Sequence, residues 1–344
     1  MISTAQQDNT PHPDSWDGGQ AVEAFPDDAT LATIEAAARE FIAEAGKIVL
    51  ASYGGPLEIE YKNTAKTDPV TATDKAVEAY LTGAVRDRFP DHAVLGEEGQ
   101  DPDGEHEFEW IVDPIDGTIN FVNRLPFFVV SIGVLHRRRP VVGAILFPVT
   151  GETLHAHRGG GAFRDGVPIR VHAATEPSGR VTVAASSGYV FTFKTARAAR
   201  RIFGEARSVG SIAYELGLVA SGGFGWAIFR GPKIWDVAGG LPIITEAGGV
   251  ALRYSQRDKG WVPLDRFEAP PQKSPDKPTK LRDWGAPVIV GAAPLVNALA
   301  PHIEPRRLPV ILTAAMKSYR GWRRWIPKKE PPPAAPDPPG EAQG

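Results

Sequence analysis

The stretch WIVDPIDGTINFVN, Trp110 to Asn123, decides how this chain is read. Its apolar lead-in has the pattern of a buried strand. Pro114 cannot donate to a ladder, so a turn is expected there. Gly117 and Thr118 then open a segment able to begin a short helix. A strand, a turn and a helix start in that order would bring the carboxylates of Asp113 and Asp116 into one cavity. Two like charges about 5 Å apart repel by roughly 1–3 kcal/mol at effective dielectric constants of about 20–80. A shared proton or a metal ion would offset that. The simpler reading is a surface turn in which an Asp caps the following helix.

The chain has 344 residues, a net charge of -3 and no cysteine. That length suits one large domain or two packed ones. The charge implies no general affinity for nucleic acid. The lack of cysteine excludes disulfides, thiolate nucleophiles and cysteine-based zinc or iron–sulfur sites. The polar start, MISTAQQDNTPHPDSWDGGQ, lacks the charged-then-apolar order of a signal peptide. No apolar run reaches the length of a transmembrane helix, so a cytoplasmic protein is expected.

Outward from the central stretch, residues 1–26 read as a disordered segment rich in Pro, Gly and Asp. A cap signal at Asp28 to Thr30 opens a helix whose apolar positions run from Leu31 to Val49, ending at Gly54-Gly55. A second helix starts near Thr73 or Asp74, with Val77, Tyr80, Leu81, Ala84 and Val85 on one face. AVLGEE and EWIVD are short strands ending in acids. The run from Phe127 to Val171 alternates strands and turns, as an antiparallel meander does.

The second half begins near Ser178. It holds the strand RVTVAAS, a helix around 193–203, the helix SIAYELGLVASG, and one helix over WDVAGGLPIITEAGG. The strands VALRY and APVIVGA follow, then a last helix, APLVNALAPHI. The Pro- and Lys-rich stretch QRDKGWVPLDRFEAPPQKSPDKPTKLRDWG reads as a loop. The units are thus a disordered 1–26, an α+β half over 27–177, an α/β half over 178–310, and a basic–aromatic segment with a Pro-rich tail over 311–344.

Acids collect at element ends: Asp74, Glu97 with Glu98, Asp113, Asp116 and Asp236. Ligands and catalytic groups gather at such places in α/β architectures. Converging carboxylates without Cys or an evident His set favour a hard cation bound through oxygen, magnesium above all.

With DPVTATD at 68–74, GEE at 96–98, DPIDGTINFVN at 113–123, GAF at 161–163, RSVGS at 207–211, WDVAGG at 235–240 and TEAGG at 245–249, the chain resembles the inositol monophosphatase family. That family lies within the magnesium-dependent, lithium-sensitive sugar phosphatases, and the likeness runs from about Thr30 to about Ile303. The resemblance implies an α+β fold, a layered αβαβα sugar-phosphatase architecture with alternating helix pairs and mixed or antiparallel sheets. It implies a phosphoric monoester hydrolase that attacks a small phosphorylated metabolite with a metal-activated water.

It also implies roles. Glu97, Asp113 and the carbonyl of Ile115 would hold one Mg2+. Asp113, Asp116 and Asp236 would hold a second, and a third, weaker ion would sit near Glu97. Gly117, Thr118 and Ile119 would bring backbone N–H groups to the phosphate, with Gly210 and Ser211 also at the substrate. Asp74 and Thr118 would orient and deprotonate the attacking water, with Glu97 assisting. A homodimer is implied as well. The lysine that the family places upstream of VTATD is Lys66 or Lys62.

Where the family's inositol-specific members carry a glutamate upstream of the WD aspartate, this chain has Phe229, with Arg230 beside it. An Arg there suits a second substrate anion, and a Phe an apolar or ring face. Inositol, histidinol, fructose bisphosphate and nucleotide bisphosphate compounds all remain as substrate classes. The alternative of another class is a regulatory binding protein on the same fold, since relatives can bind transcription machinery.

Other patterns have plainer readings. The haloacid-dehalogenase signature D-x-D-G-T separates its acids by one residue, and here two separate them. His155 and His157 would share a strand face without a third ligand, which reads as a partly exposed hairpin. RGGGAF lacks the G-K-[ST] ending of a phosphate loop and reads as a tight hairpin turn. Glu98 reads either as a group supporting a metal ligand or as a solvated acid. KSYRGWRRWIPKK, Lys317 to Lys329, interleaves six basic residues with aromatic ones. It reads as a terminal helix packed on its own domain or a dimer partner, as a weak membrane-surface contact, or as a contact with nucleic acid or another partner.

Overall fold

Helix α1 (Asp28–Ser52) begins where Asp27 accepts the Thr30 N–H at 2.8 Å, one residue before the expected cap. Helix α2 (Ala72–Arg88) begins with a reciprocal box: Thr71 accepts the Asp74 N–H, and Asp74 accepts the Thr71 N–H. The computed structural model describes residues 24–57, 59–61, 69–102, 104–173, 180–185, 189–200, 202–272 and 278–306. Residues 1–23, Lys62, Lys66 and all of 317–329 lie outside the described residues, and with them the expectations made for those positions.

The first sheet has seven strands in chain order: β1 (Ala93–Gly96), β2 (Phe108–Asp116), β3 (Val129–His136), β4 (Arg139–Phe147), β5 (Glu152–His157), β6 (Gly161–Arg164) and β7 (Val167–Pro168). Only β1 and β2 run parallel; the rest form the expected meander. The second sheet comprises β8 (Thr182–Ala185), β9 (Glu205–Arg207), β10 (Trp226–Phe229), β11 (Gly249–Ser255), β12 (Gly260–Pro263) and β13 (Val288–Ala292). Its spatial order is β9-β8-β10-β13-β11-β12.

Alternation along the strands builds the layers. On β2, Trp110 and Val112 pack with α1 and α2, while Ile111 faces the middle of the molecule. On β10, Ala227 and Phe229 face that same middle, while Trp226 and Ile228 turn outward to Leu295 and Val296 on the helix Ala293–Leu299. Between the sheets lie α4 (Ile212–Ala220), α5 (Ile234–Ala238) and α6 (Gly240–Glu246), after the five-residue α3 (Thr118–Val122) of the first half. The order helices, sheet, helices, sheet, helix is the layered α+β architecture expected.

Several local expectations are corrected. The stretch 193–203 is not one helix: Phe193–Thr195 is a strand paired with Ile303–Pro305, followed by a single turn, Arg197–Arg200. Thr195 and Phe193 carry strand propensity that the apolar spacing concealed. The helix over WDVAGGLPIITEAGG is two, α5 and α6, meeting at Gly239. A Cβ on Gly239 would stand 2.4 Å from Ser131 Oγ and 2.9 Å from the Ile132 carbonyl, so this joint lies directly against β3. The Pro- and Lys-rich loop contains β12, whose Trp261 and Val262 suit a strand, and a 3-10 turn, Leu281–Asp283.

His155 and His157 do not lie on a partly exposed hairpin. Both are buried, and Glu35 of α1 lies between them, hydrogen-bonded to each Nδ1. His157 Nε2 also meets Asp28 at 3.1 Å. The partners are 120 or more residues apart, so no spacing along the chain announces them. Burial pushes the Glu35 carboxyl up, but the bonds from the two imidazoles together outweigh it and hold the group below its ordinary 4.5. Burial lowers His157, yet Glu35 and Asp28 raise it above 6.5.

The contribution of Glu35 is therefore lost as pH falls below about 4.5 through its lowered value. The contribution of His157 is complete below 6.5 and lost as pH rises through its raised value. Together they tie α1 to β5 most firmly between those limits. Glu35→Ala, which leaves buried imidazoles without their acceptor, should cost about 3 kcal/mol in urea unfolding near pH 6. A loss within about 0.5 kcal/mol, the size of an ordinary surface substitution, would contradict this account.

Candidate functional site

Strand β2 does not turn at Pro114 but bulges through it. Asp113 faces Ser131 and Asp116 faces Val129 across β3, so one extra residue is accommodated between them. The turn comes at Gly117, whose φ of 98° is costly for any side chain, and a Cβ there would meet the Phe127 carbonyl at 2.9 Å. The bulge and turn present the acids to one point. Carboxylate oxygens of Asp113, Asp116 and Asp236 all lie within 4.8 Å of one another.

Asp236 arrives from the other half of the chain, in the first turn of α5, where one oxygen accepts the Lys233 N–H at 2.8 Å. Asp116 accepts Ser211 Oγ at 2.8 Å and the Ala213 N–H at 2.5 Å. It therefore does meet a helix N-terminus, but that of α4 rather than of the helix that follows it. Asp74 accepts the Thr71 hydroxyl at 2.5 Å, and its other oxygen lies 3.4 Å from Thr118 Oγ1. That hydroxyl also reaches the Ile115 carbonyl at 3.0 Å. Glu97, just past β1, stands close enough for its charge to raise Asp113, Asp116 and Asp236.

Three supporting residues escaped the reading of the sequence. Glu78, one turn after Asp74, accepts the N–H groups of Glu98 at 2.7 Å and Gln100 at 3.1 Å, and so shapes the GEE loop. Glu215 accepts the Val209 N–H at 2.5 Å and fixes the RSVGS loop. Asn120 donates to the Val209 carbonyl at 2.9 Å and the Phe127 carbonyl at 2.7 Å, joining that loop to α3. For the two glutamates a signal was present. Glu78 and Glu215 are acids on apolar helix faces, where burial needs a reason.

Electrostatics sets the group apart. Burial, then Glu97, Asp116, Asp236 and Asp74, hold the Asp113 carboxyl well above 3.8. Burial and then Asp116 do the same for Asp236. Burial pushes Asp116 and Asp74 up to about 6 against the hydrogen bonds they accept. Among the described residues no Lys or Arg forms an ion pair with Asp113, Asp116 or Asp236. Asp113 Oδ1 is buried and has no hydrogen-bond partner among the described residues. A buried acceptor beside three further carboxylates fits a divalent cation, and an all-oxygen donor set fits a hard one.

Of the other residues singled out, Gly210 lies against Asn120, and Ser211 spends its hydroxyl on Asp116. Ile119 is 55% exposed at the start of α3. Phe229 is buried in the middle core and offers no open face to a ligand. Arg230 Nη2 donates to the Arg306 carbonyl at 3.3 Å, and its Nε is buried without a partner. None of its described contacts is with the acidic group.

A family model described as "Inositol monophosphatase family" matches residues 30–281. The protein named Nus factor SuhB of Escherichia coli K12 is 34% identical over 221 residues, 62% of this chain and 82% of that protein. Inositol monophosphatase 1 of Homo sapiens is 35% identical over 222 residues, 61% of this chain and 79% of that protein. The solved structure of inositol monophosphatase from Anabaena aligns with a TM-score of 0.61 and 28% identity, covering 79% of this chain and 96% of that one.

Proposed function

We propose a reaction from one premise: the chain belongs to the inositol monophosphatase family. It is a magnesium-dependent phosphomonoesterase acting on a small phosphorylated metabolite. The observation that carries this reading is the convergence of Asp113, Asp116 and Asp236, with the orphaned oxygen of Asp113 among them.

Glu97, Asp113 and the Ile115 carbonyl would hold one Mg2+, and Asp113, Asp116 and Asp236 a second, with a weaker third beside Glu97. Bound there, the ions would neutralise phosphoryl charge and ease deprotonation of water. Thr118 Oγ1 has one proton and two acceptors, Asp74 Oδ1 and the Ile115 carbonyl. Donating to Asp74, it can accept a proton from the attacking water and pass its own on. A carboxyl pushed up to about 6 is a competent acceptor near neutral pH. The first N–H groups of α3 have no acceptor within the helix and would hold the phosphate at Gly117, Thr118 and Ile119. Inhibition by lithium and a homodimeric, cytoplasmic enzyme complete the proposal.

One relative is called a Nus factor, which keeps a regulatory role as the second reading. The acidic group favours catalysis, because burying these carboxylates without a cation only destabilises the fold. Phosphate release should be measured on inositol, histidinol, fructose bisphosphate and nucleotide bisphosphate compounds. Magnesium-dependent release is expected from at least one. If Arg230 reads a second substrate anion, the doubly anionic substrates should lead the panel. No release from any, with no divalent-cation binding, would overturn the reading.

A further inference from the structure

The loop that the sequence shows as Pro- and Lys-rich returns to the acidic site. Leu281 and Trp284 are buried in the middle core, Trp284 edge-on to Phe267 with ring centroids 4.8 Å apart. Gly285 bridges to Lys233, three residues before Asp236. Between these anchors Arg282 projects across the site's rim. Its Nη2 donates to the Glu97 carbonyl at 3.4 Å, its Nη1 lies 3.8 Å from Asp101, and its guanidinium carbon stands 6.0 Å from the centre of the Trp235 ring. One planar group thus bonds the segment that carries Glu97 and faces the ring of Trp235, the neighbour of Asp236. On its other side the GEE loop hangs on Glu78. Lys280 Nζ also meets Asp101, at 3.1 Å.

We infer that Arg282 is a positioning residue, a strut between the GEE loop and the start of α5 that sets the spacing of Glu97 from Asp236 and so the affinity of the site for a divalent cation. The inference rests on reading the acidic group as a cation site. Charge and positioning pull in opposite directions, which makes the role measurable. Removing a cationic side chain near a metal site strengthens cation binding by simple Coulomb attraction. Removing a strut weakens it, because the ligands no longer converge.

Binding of Mn2+ to the purified full chain, without substrate, is read from the electron paramagnetic resonance of the free ion. Arg282→Ala should weaken binding about tenfold, the scale seen when an outer partner of a metal ligand is lost. Lys280→Ala removes the same charge and should bind as tightly as the parent chain or tighter. Arg282→Lys keeps the charge but cannot span Glu97 and Asp101 at once, so it should lie between; it also serves if the alanine variant does not fold. Circular dichroism confirms that each variant is folded. Equal or tighter binding by folded Arg282→Ala, or by Arg282→Lys in its place, overturns the strut. Equal weakening in Lys280→Ala overturns it too, since the effect would then belong to Asp101. A parent chain that binds no Mn2+ overturns the cation site itself, a result that no Arg282 variant is needed to obtain.

Discussion

Asp113→Asn is expected to lower turnover by about a thousandfold or more while the chain stays folded. Asp113 is the residue that both proposed ions would share, and it is buried, with an oxygen that finds no hydrogen-bond partner among the described residues. Charge stabilisation by a bound metal is worth several kcal/mol, and about 1.4 kcal/mol corresponds to tenfold in rate. Three or more such factors are therefore at stake. Stability should move the other way. In the cation-free protein Asp113 is repelled by Glu97, Asp116, Asp236 and Asp74. An amide at 113 carries no charge, and its NH2 can donate to those neighbours. The variant should melt at the same temperature as the parent or higher in chelator, with its catalysis gone. Turnover within tenfold of the parent would remove Asp113 from the site.

That opposition also explains which parts of the molecule the sequence disclosed. Only two residues separate the acids of the central stretch, and the bulge and Gly117 that aim them are local features, so a short window held most of the geometry. The WD aspartate was legible because an acid opening a helix just after an apolar strand is itself a local pattern. The strand alternation of the meander is equally local, and it came through nearly intact. What was hidden depends on distant chain segments meeting. Glu35 finds His155 and His157 only because α1 lies across β5. Arg282 finds Glu97 only because Leu281 and Trp284 pull a polar loop into the core. Glu78 and Glu215 are intermediate: each is a buried acid within a helix, a signal present in the sequence but passed over, and what it holds follows only once the backbone groups around it are placed.

The second large effect is on stability in the presence of a divalent cation, and its pH dependence follows from the same carboxylates. In the unfolded chain an Asp ionises near 3.8, whereas folding pushes Asp74 and Asp116 up to about 6 and holds Asp113 and Asp236 well above 3.8. Between those limits the folded state binds more protons than the unfolded one. Stability of the cation-free protein therefore falls as pH rises from about 4 through about 6, and stays low above that. A cation requires the ionised carboxylates, so its benefit grows over the same interval as protons cease to compete. At a hundred times its dissociation constant it should add about 2.7 kcal/mol. For a chain of this size that is a rise of about 4–5 °C in melting temperature. Thermal melts in chelator and in excess Mg2+ should thus nearly coincide near pH 4.5 and separate clearly by pH 7.5, and the Asp113→Asn variant should show little separation at either. Curves that separate equally at both pH values would mean that the cation binds elsewhere. Curves that never separate would leave the buried carboxylates of Asp113, Asp116 and Asp236 without the charge that best accounts for them.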